Sequence, residues 1–273
     1  MLHQWIIFRT ALMFLTRIPV GRLPFSQANL QASARYFSWV GILVGLVSAM
    51  VCIVANYLFS MPLSIAISMM ASILLTGAFH EDGWADCCDA FGGGWTKEKI
   101  LTIMKDSRLG TYGVVGLIGM LAIKFLLLLE ISNNTSAILL GMVMITAHSS
   151  SRFFAVTIMQ KLPYVQDIDS SKSKPLANRK LTKIEMGVLL IGMAIPLIVL
   201  SQISTDYRLP FTVYHLPSTV YFLLLLPCYI FCIFARRYFK KWIGGYTGDC
   251  LGATQQITEL IFYLGFLLLW KFI

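Results

Sequence analysis

The chain has 273 residues, of which 57% are hydrophobic and only 13% charged, and its mean hydropathy is +0.73. Soluble domains are typically ~45–50% apolar and ~25% charged, so this composition excludes an ordinary soluble domain and predicts an integral membrane protein in contact with the lipid bilayer. The net charge of +9 does not follow a basic stripe interleaved with aromatic residues, so we expect no nucleic-acid partner and assign the excess Lys and Arg to cytoplasmic loops.

The N-terminal segment, residues 1–36, is apolar but contains Arg9 and Arg17. These arginines interrupt the apolar core that a signal peptide requires, and no small-residue cleavage site follows them. On a helix they lie about 80° apart, so both can face lipid headgroups while Leu12 and Leu15 point into lipid. We therefore predict an N-terminal helix that is interfacial or re-entrant.

Seven long apolar segments follow, most of them near the ~20 residues that cross a bilayer. They are residues 37–59, 63–79, 112–131, 136–159, 186–203, 218–235 and 257–272. Most of the 22 Lys and Arg residues lie in alternate connections, which the positive-inside rule places in the cytoplasm together with the N-terminus. The predicted fold is all-α: a polytopic membrane bundle with about seven transmembrane helices, forming a single domain over residues 1–273.

Acidic residues are concentrated after the second apolar segment. Four of the 13 Asp and Glu residues lie close together, at Glu81, Asp82, Asp86 and Asp89. If this run is helical, the three aspartates lie within roughly 60° of one face and repel each other. Hard divalent cations are the usual partners of such a group, so we predict a metal site in an acidic cytoplasmic loop over residues 80–111, the alternative being a solvated loop. Glu81 points ~100° away from Asp82 and joins only if the helix begins irregularly.

A glycine run and two cations follow the acidic residues. Gly92 and Gly93 form either a flexible turn or a set of exposed backbone amides. Beside Lys105 and Arg108, such amides suit the oxygens of a phosphate group. Between the glycines and the cations we predict a short cytoplasmic surface helix over residues 97–104, with its apolar side on the membrane.

Three further polar residues are candidates for a functional role. Arg152 lies about two turns inside a span, where a charge is costly unless it is paired or faces a watery cavity; it either binds phosphate or snorkels to the interface. Lys124 lies deeper in a span, and we expect Glu130 to pair with it. Asp249, between two glycines in a polar connection, is a metal ligand, a general base or merely a turn residue.

Together, these residues provide carboxylates for a divalent metal, cations for phosphate and a cytoplasmic-facing cavity within the bilayer. This combination suits transfer of a phosphate-linked group between two substrates, at least one of them bulky or amphipathic.

Several blocks of sequence resemble those of the adenosylcobinamide-GDP ribazoletransferase (cobalamin synthase) family. The principal blocks read TGAFHEDGWAD from residue 76, DAFGGG from residue 89 and IMKDSRLGTYG from residue 103, and further matches lie at residues 14–20, 34–37, 151–152 and 244–253. The blocks occur in the family's order, so the resemblance covers nearly the whole chain. Ala78, Cys87 and Cys88 stand where the family is expected to have Gly or other small residues, which leaves the carboxylates in place.

The resemblance implies an enzyme of the bacterial cytoplasmic (inner) membrane that requires Mg²⁺, and the alternation of basic residues predicts a periplasmic C-terminus. Such an enzyme joins adenosylcobinamide-GDP to α-ribazole or its 5'-phosphate and releases GMP. The resemblance leaves open two further partnerships: a homo-oligomer and an association with other cobalamin-assembly enzymes.

The resemblance also implies roles for particular residues. The metal ligands would be Asp82, Asp86 and Asp89, with Glu81. The pyrophosphate would be bound by Lys105, Arg108 and Arg152 together with Gly92 and Gly93. The three cationic side chains would balance its negative charge. Asp106 or Asp249 would accept a proton if the nucleophile is a hydroxyl group.

Two alternatives come from other classes of membrane protein. CDP-alcohol phosphotransferases also cluster aspartates, in the pattern D-G-x-x-A-R followed by G-x-x-x-D-x-x-x-D. The sequence here reads DGWAD from Asp82 to Asp86 and has no such continuation. A cation-coupled transporter could use Arg152, Lys124 and Glu130 as its pathway. The paired broken helices of such transporters are not evident in the sequence.

Overall fold

The structure is a computed structural model and describes residues 2–23, 26–165, 179–206 and 218–271. Within these ranges the chain is helical, and its β-structure is a single bridge between Tyr164 and Tyr246. The α-helices are α1 Leu2–Leu15, α2 Gln27–Ser33, α3 Phe37–Asn56, α4 Met61–Thr76, α5 Phe79–Gly93, α6 Lys97–Lys105, α7 Thr111–Asn134, α8 Ala137–Lys161, α9 Lys183–Asp206, α10 Leu225–Ile243 and α11 Gly248–Trp270. The predicted all-α class is confirmed.

Several of these helices have the length and apolar composition to cross a membrane, which confirms a polytopic membrane bundle. By these two criteria the described residues contain five spans: Gln27–Asn56, Thr111–Asn134, Ala137–Lys161, Lys183–Ile203 and Thr219–Ile243. Helices α4 and α5 qualify together as a sixth, although they are bent by 89°. The expected number of about seven is not confirmed. The predicted last span, residues 257–272, overlaps the C-terminal part of α11, a helix that also carries the polar residues Gln255, Gln256 and Glu259.

The break between α4 and α5 is a local backbone feature. Gly77 and Ala78 both have left-handed φ angles, 68° and 58°, and their amides donate to the carbonyls of Leu74 and Ile73. A left-handed alanine is strained, so surrounding contacts must hold it. Helix α5 starts immediately after this turn, so residues 80–93 are helical, and the expectation of a loop there is wrong. The sequence did not reveal this bend between the two helices.

Helix α8 occupies the centre of the bundle and packs closely on α3. A β-carbon at Gly41 would overlap the backbone of His148, and one at Gly45 would overlap the backbone of Ile145. Small residues at these two positions let the helices approach at backbone distance, as they commonly do in membranes. In the apolar 18-residue stretch of α8, 78% of the residues are buried inside the protein, whereas in that of α7 only 22% are.

The N-terminal helix α1 packs on the bundle. Leu12 and Leu15 are buried in the protein core, so the expectation that they point into lipid is wrong. The side chain of Arg9 donates to the carbonyl of Val20, and the amide of Arg17 donates to the carbonyl of Leu75 at 2.8 Å. The start of the chain is therefore fixed beside the α4–α5 bend.

Candidate active site

The acidic run forms a regular helix, so the condition on which the predicted carboxylate face depended is met. Helix α5 packs between α11 and α7, and the side chain of Asp82 is exposed while those of Asp86 and Asp89 are half-buried. The carboxylate of Asp86 interacts unfavourably with both of the others. The predicted i, i+4, i+7 face of carboxylates therefore exists, although its three members have different neighbours.

Asp249 joins this face from the other end of the chain. Helix α11 begins at the Thr247 cap, whose hydroxyl accepts from the amide of Cys250, so Asp249 lies in its first turn. There α11 crosses α5 so closely that a β-carbon at Gly83 would lie 3.0 Å from the Cα atom of Asp249. Of the charges around Asp86, that of Asp249 repels it most strongly. The structure thus brings together Asp82, Asp86 and Asp249.

Asp89 has a different environment. One of its carboxylate oxygens accepts from the amide of Gly110 at 2.7 Å, and the other accepts from the amide of Gly113 at 2.8 Å. These amides belong to the start of α7, where unpaired N–H groups and the helix dipole favour a negative charge. This geometry supports a structural role for Asp89, which ties α5 to α7.

Glu81 points away from the face of α5 that carries the aspartates, about 100° round the helix from Asp82. Its side chain is buried, and one carboxylate oxygen accepts from the amide nitrogen of Gln256 at 2.9 Å. Because α5 is regular from Phe79 onward, the structure does not place Glu81 with Asp82. In the described ranges, no three His, Cys, Asp or Glu side chains are grouped closely enough to hold a metal ion by themselves.

The glycines at the end of α5 are not a turn. Gly92 and Gly93 are its last two residues, and the amide of Gly94 donates back to Ala90 at 2.9 Å. Amides inside a helix are already paired, so the expectation of exposed amides for phosphate is wrong. Gly92 serves packing instead, because a β-carbon there would overlap the ring of Tyr112.

Helix α6 ends at Lys105, and Arg108 lies just beyond it. Its N-cap is Thr96, whose hydroxyl accepts from the amide of Lys99. Beyond the helix, the exposed guanidinium of Arg108 binds the carboxylate of Asp106 through Nη2 and Oδ2 at 2.7 Å. This pairing lowers the pKa of Asp106 to about 2. A carboxylate that is so weakly basic accepts a proton poorly, which favours Asp249 over Asp106 as the proton acceptor.

Arg152 is fully inside the protein. Its side chain is 2% exposed, and Nη1 donates to the carbonyl of His148 at 2.9 Å. Nε has no hydrogen-bond partner within the described part of the chain. The alternative of snorkelling to the interface is therefore wrong. Arg152 lines a small pocket together with His80 and Gly248, next to the start of α11.

Sequence reasoning missed Glu259, which is the centre of a buried polar cluster. Its carboxylate lies 2.6 Å from Lys124 Nζ and 3.3 Å from His148 Nδ1, and it accepts from Gln255 and Tyr263. The expected pairing of Lys124 with Glu130 is wrong. The available signal was an acidic residue in the middle of an apolar helix, which demands a partner.

Comparison with known proteins places this arrangement in a family. A model of the family described as cobalamin-5-phosphate synthase matches residues 7–267. A Leptospira interrogans protein named adenosylcobinamide-GDP ribazoletransferase is 41% identical over 274 residues, covering 98% of this chain and 97% of the relative. Proteins of the same name from Vibrio parahaemolyticus and Vibrio cholerae are 38% and 40% identical, over 96% of this chain and 92% and 93% of their own. No solved structure matches the chain.

Proposed function

Because the chain belongs to the cobalamin-5-phosphate synthase family, we propose that it catalyses the final step of cobalamin synthesis as an adenosylcobinamide-GDP ribazoletransferase. It transfers the cobinamide phosphate group from adenosylcobinamide-GDP to α-ribazole or α-ribazole 5'-phosphate and releases GMP. The observation that carries this proposal is the match over residues 7–267. Relatives of that name at 38–41% identity support it.

The reaction is a displacement at phosphorus. An oxygen of the ribazole component attacks the phosphorus nearer the cobinamide, the bond from that phosphorus to the bridging oxygen breaks, and the electron pair leaves with GMP. If the nucleophile is a hydroxyl group, Asp249 is the better placed of the two proposed bases to take its proton, because Arg108 holds Asp106. The cations of Lys105, Arg108 and Arg152 would balance the charge of the diphosphate.

We propose Mg²⁺ as the cofactor. Magnesium prefers oxygen ligands and at phosphoryl-transfer sites is usually bound by one or two carboxylates together with substrate phosphates, rather than by an all-protein cage. The carboxylates of Asp82 and Asp86, which repel each other on one face of α5, fit that donor set, with Asp249 next to them as the proposed base. Bound there, Mg²⁺ would supply positive charge against the phosphate that leaves. Asp89 and Glu81, engaged by other groups, would support these ligands through the position of α5.

The proposed location is the bacterial inner membrane, with the N-terminus and the active-site side of the bundle in the cytoplasm and the C-terminus in the periplasm. The alternation of basic residues along the sequence supports this orientation. The partners would be the two substrates and the bilayer.

The decisive experiment supplies purified protein in lipid with adenosylcobinamide-GDP, either acceptor and Mg²⁺, and identifies the products. We expect GMP together with adenosylcobalamin or its 5'-phosphate, formed in equal amounts, and no product when Mg²⁺ is chelated. Parallel reactions receive a CDP-linked lipid with an alcohol acceptor. Formation of CMP there, without GMP in the first reaction, would replace this proposal with the CDP-alcohol phosphotransferase alternative. Release of GMP excludes transport as the sole role.

A further inference from the structure

A wide groove runs between α5, α10 and α11. Its volume is about 590 Å³, within the roughly 300–1,000 Å³ typical of ligand-binding pockets. Aromatic side chains form much of its lining, among them Trp84 and Phe91 of α5 and Phe234 and Tyr238 of α10. The groove is therefore apolar and large enough for a flexible hydrocarbon chain.

The position of the groove indicates what can reach it. Helix α10 belongs to the candidate span Thr219–Ile243, so the groove lies at membrane depth. Phe234 and Tyr238 are 61% and 43% exposed on its α10 side. Exposed aromatic residues on a spanning helix contact lipid, and Tyr is typical of the interfacial region. The groove is thus open to the acyl chains of the bilayer.

One end of the groove is positively charged. Arg237 and Lys241, one turn apart near the end of α10, both line it. Neither forms an ion pair with a carboxylate in the part of the chain that the structure describes. Lys241 Nζ lies 5.6 Å from the centroid of the Trp242 ring, an arrangement common at the membrane–water interface. An occupant with an apolar chain and a negatively charged head would satisfy both ends.

We propose that this groove binds an anionic phospholipid, with an acyl chain between α5 and α10 and the headgroup phosphate on Arg237 and Lys241. Cations beside a membrane surface favour anionic over zwitterionic lipids. One wall of the groove is α5, where Cys87 and Cys88 adjoin the aspartates on the neighbouring face. The lipid fills the space behind the helix that carries Asp82 and Asp86 and so holds that helix in place.

The chain offers a matched control for the charged end. Arg236 and Lys240 lie on the same two turns of α10 but do not line the groove, and the Arg236 side chain donates to the carbonyl of Cys232. The double variant Arg237→Ala/Lys241→Ala and the control Arg236→Ala/Lys240→Ala each remove two positive charges from the same segment. Only the first should affect a lipid bound in the groove.

The test is native mass spectrometry of the full chain in detergent, titrated with phosphatidylglycerol or phosphatidylcholine. We expect one phosphatidylglycerol to bind tightly to the unmodified protein, about 30-fold more weakly to Arg237→Ala/Lys241→Ala, and unchanged to the control. A third variant, Ala235→Trp, fills the groove without changing charge and should weaken binding of both lipids. Size-exclusion chromatography shows whether each variant is folded.

Two results would overturn the proposal. If phosphatidylglycerol binding weakens equally in both double variants, the attraction is a diffuse one between the protein and anionic lipid. If Arg237→Ala/Lys241→Ala binds phosphatidylglycerol as well as the unmodified protein, Arg237 and Lys241 do not hold the headgroup. If that variant keeps its lipid but loses binding of adenosylcobinamide-GDP, the groove is a substrate subsite instead. Because lipid binding is measured without turnover, the outcome does not depend on the proposed reaction.

Discussion

Asp86 and Asp89 lie three positions apart on α5, yet their carboxylates meet different neighbours. Asp86 faces the repelling charges of Asp249 and Asp82, an arrangement that favours a bound cation. Asp89 accepts the amides of Gly110 and Gly113, which already stabilise its charge. We therefore expect residues with the same chemistry on one helical face to have separable roles.

This difference predicts opposite consequences of the same substitution. Asp86→Asn should lower turnover at least about 100-fold, because an amide is a poor ligand for the cation that balances charge at the reacting phosphorus. The free energy of unfolding should change little. The measurement is GMP release at saturating Mg²⁺, alongside thermal unfolding of the same preparation.

Asp89→Asn is the matched comparison and should keep much of the turnover, because an amide oxygen can still accept one of the two amides. Asp89→Ala leaves both amides unpaired and should lower the free energy of unfolding by about 1–3 kcal/mol. If Asp89→Asn is as inactive as Asp86→Asn while remaining equally stable, Asp89 takes part in the chemistry.

The buried pair of Lys124 and Glu259 gives a second prediction at this scale. Glu259→Gln leaves the Lys124 charge buried without a counter-charge and should cost about 3–5 kcal/mol of unfolding free energy. The double variant Lys124→Met/Glu259→Gln removes both charges and should recover part of that loss, which a double-mutant cycle measures. Additive losses would show that the two side chains do not interact.

Among the elements, the position of α5 depends on the bend at its N-terminal end and on its crossing with α11. The left-handed pair Gly77 and Ala78 turns it away from α4 by 89°, and Gly83 lets it approach α11 at backbone distance. These two features set where the aspartates stand relative to Asp249. The geometry of the proposed site thus depends on helix placement as much as on the side chains.

A glycine comparison tests this placement. A β-carbon at Gly83 would lie 3.0 Å from the Cα atom of Asp249 and 3.3 Å from that of Gly252, and backbone atoms cannot move aside cheaply. Gly83→Ala should separate the helices, cost about 1–3 kcal/mol and reduce turnover severalfold. Both quantities are measured on purified protein.

Gly119, in α7, provides the control, because a β-carbon there would meet nothing within 4 Å. Gly119→Ala should be neutral or stabilise by roughly 0.5–1 kcal/mol, since alanine favours a helix over glycine. Equal effects of the two alanines on turnover would contradict a special role for the α5–α11 crossing.

At the scale of the whole molecule, the ends of α7 and α11 lie together. Trp270 Nε1, at the end of α11, donates to the carbonyl of Asn134 at the end of α7. Both helices start on the side that carries Asp86 and Asp249. The bundle thus has one polar side with the proposed active site and an opposite side that the positive-inside rule assigns to the periplasm.

Single-cysteine labelling tests this orientation. The six native cysteines are buried or half-buried, so their background labelling should be low. In intact cells, a membrane-impermeant maleimide should label Asn133→Cys and Lys271→Cys, whereas Lys97→Cys should react only after permeabilisation. Labelling of Asn133→Cys and Lys97→Cys from the same side would contradict a crossing by α7.

The sequence by itself determined the features that short windows encode. The apolar composition predicted the all-α membrane class, and the i, i+4, i+7 spacing predicted the carboxylate face. The sequence blocks from residue 76 onward identified the family. Such patterns act within one or two helical turns or along one continuous segment, so they can be recognised without knowing any neighbour.

Only the tertiary structure decided which distant residues meet. It placed Asp249 beside Asp86, paired Lys124 with Glu259 rather than with Glu130, and buried the side chain of Glu81 in the core. The physical reason is that these contacts depend on the crossing of helices far apart in the chain, and on a backbone bend at Ala78 that no helical periodicity specifies. In a bilayer, where apolar helices have little preference among neighbours, such packing and polar contacts select the arrangement.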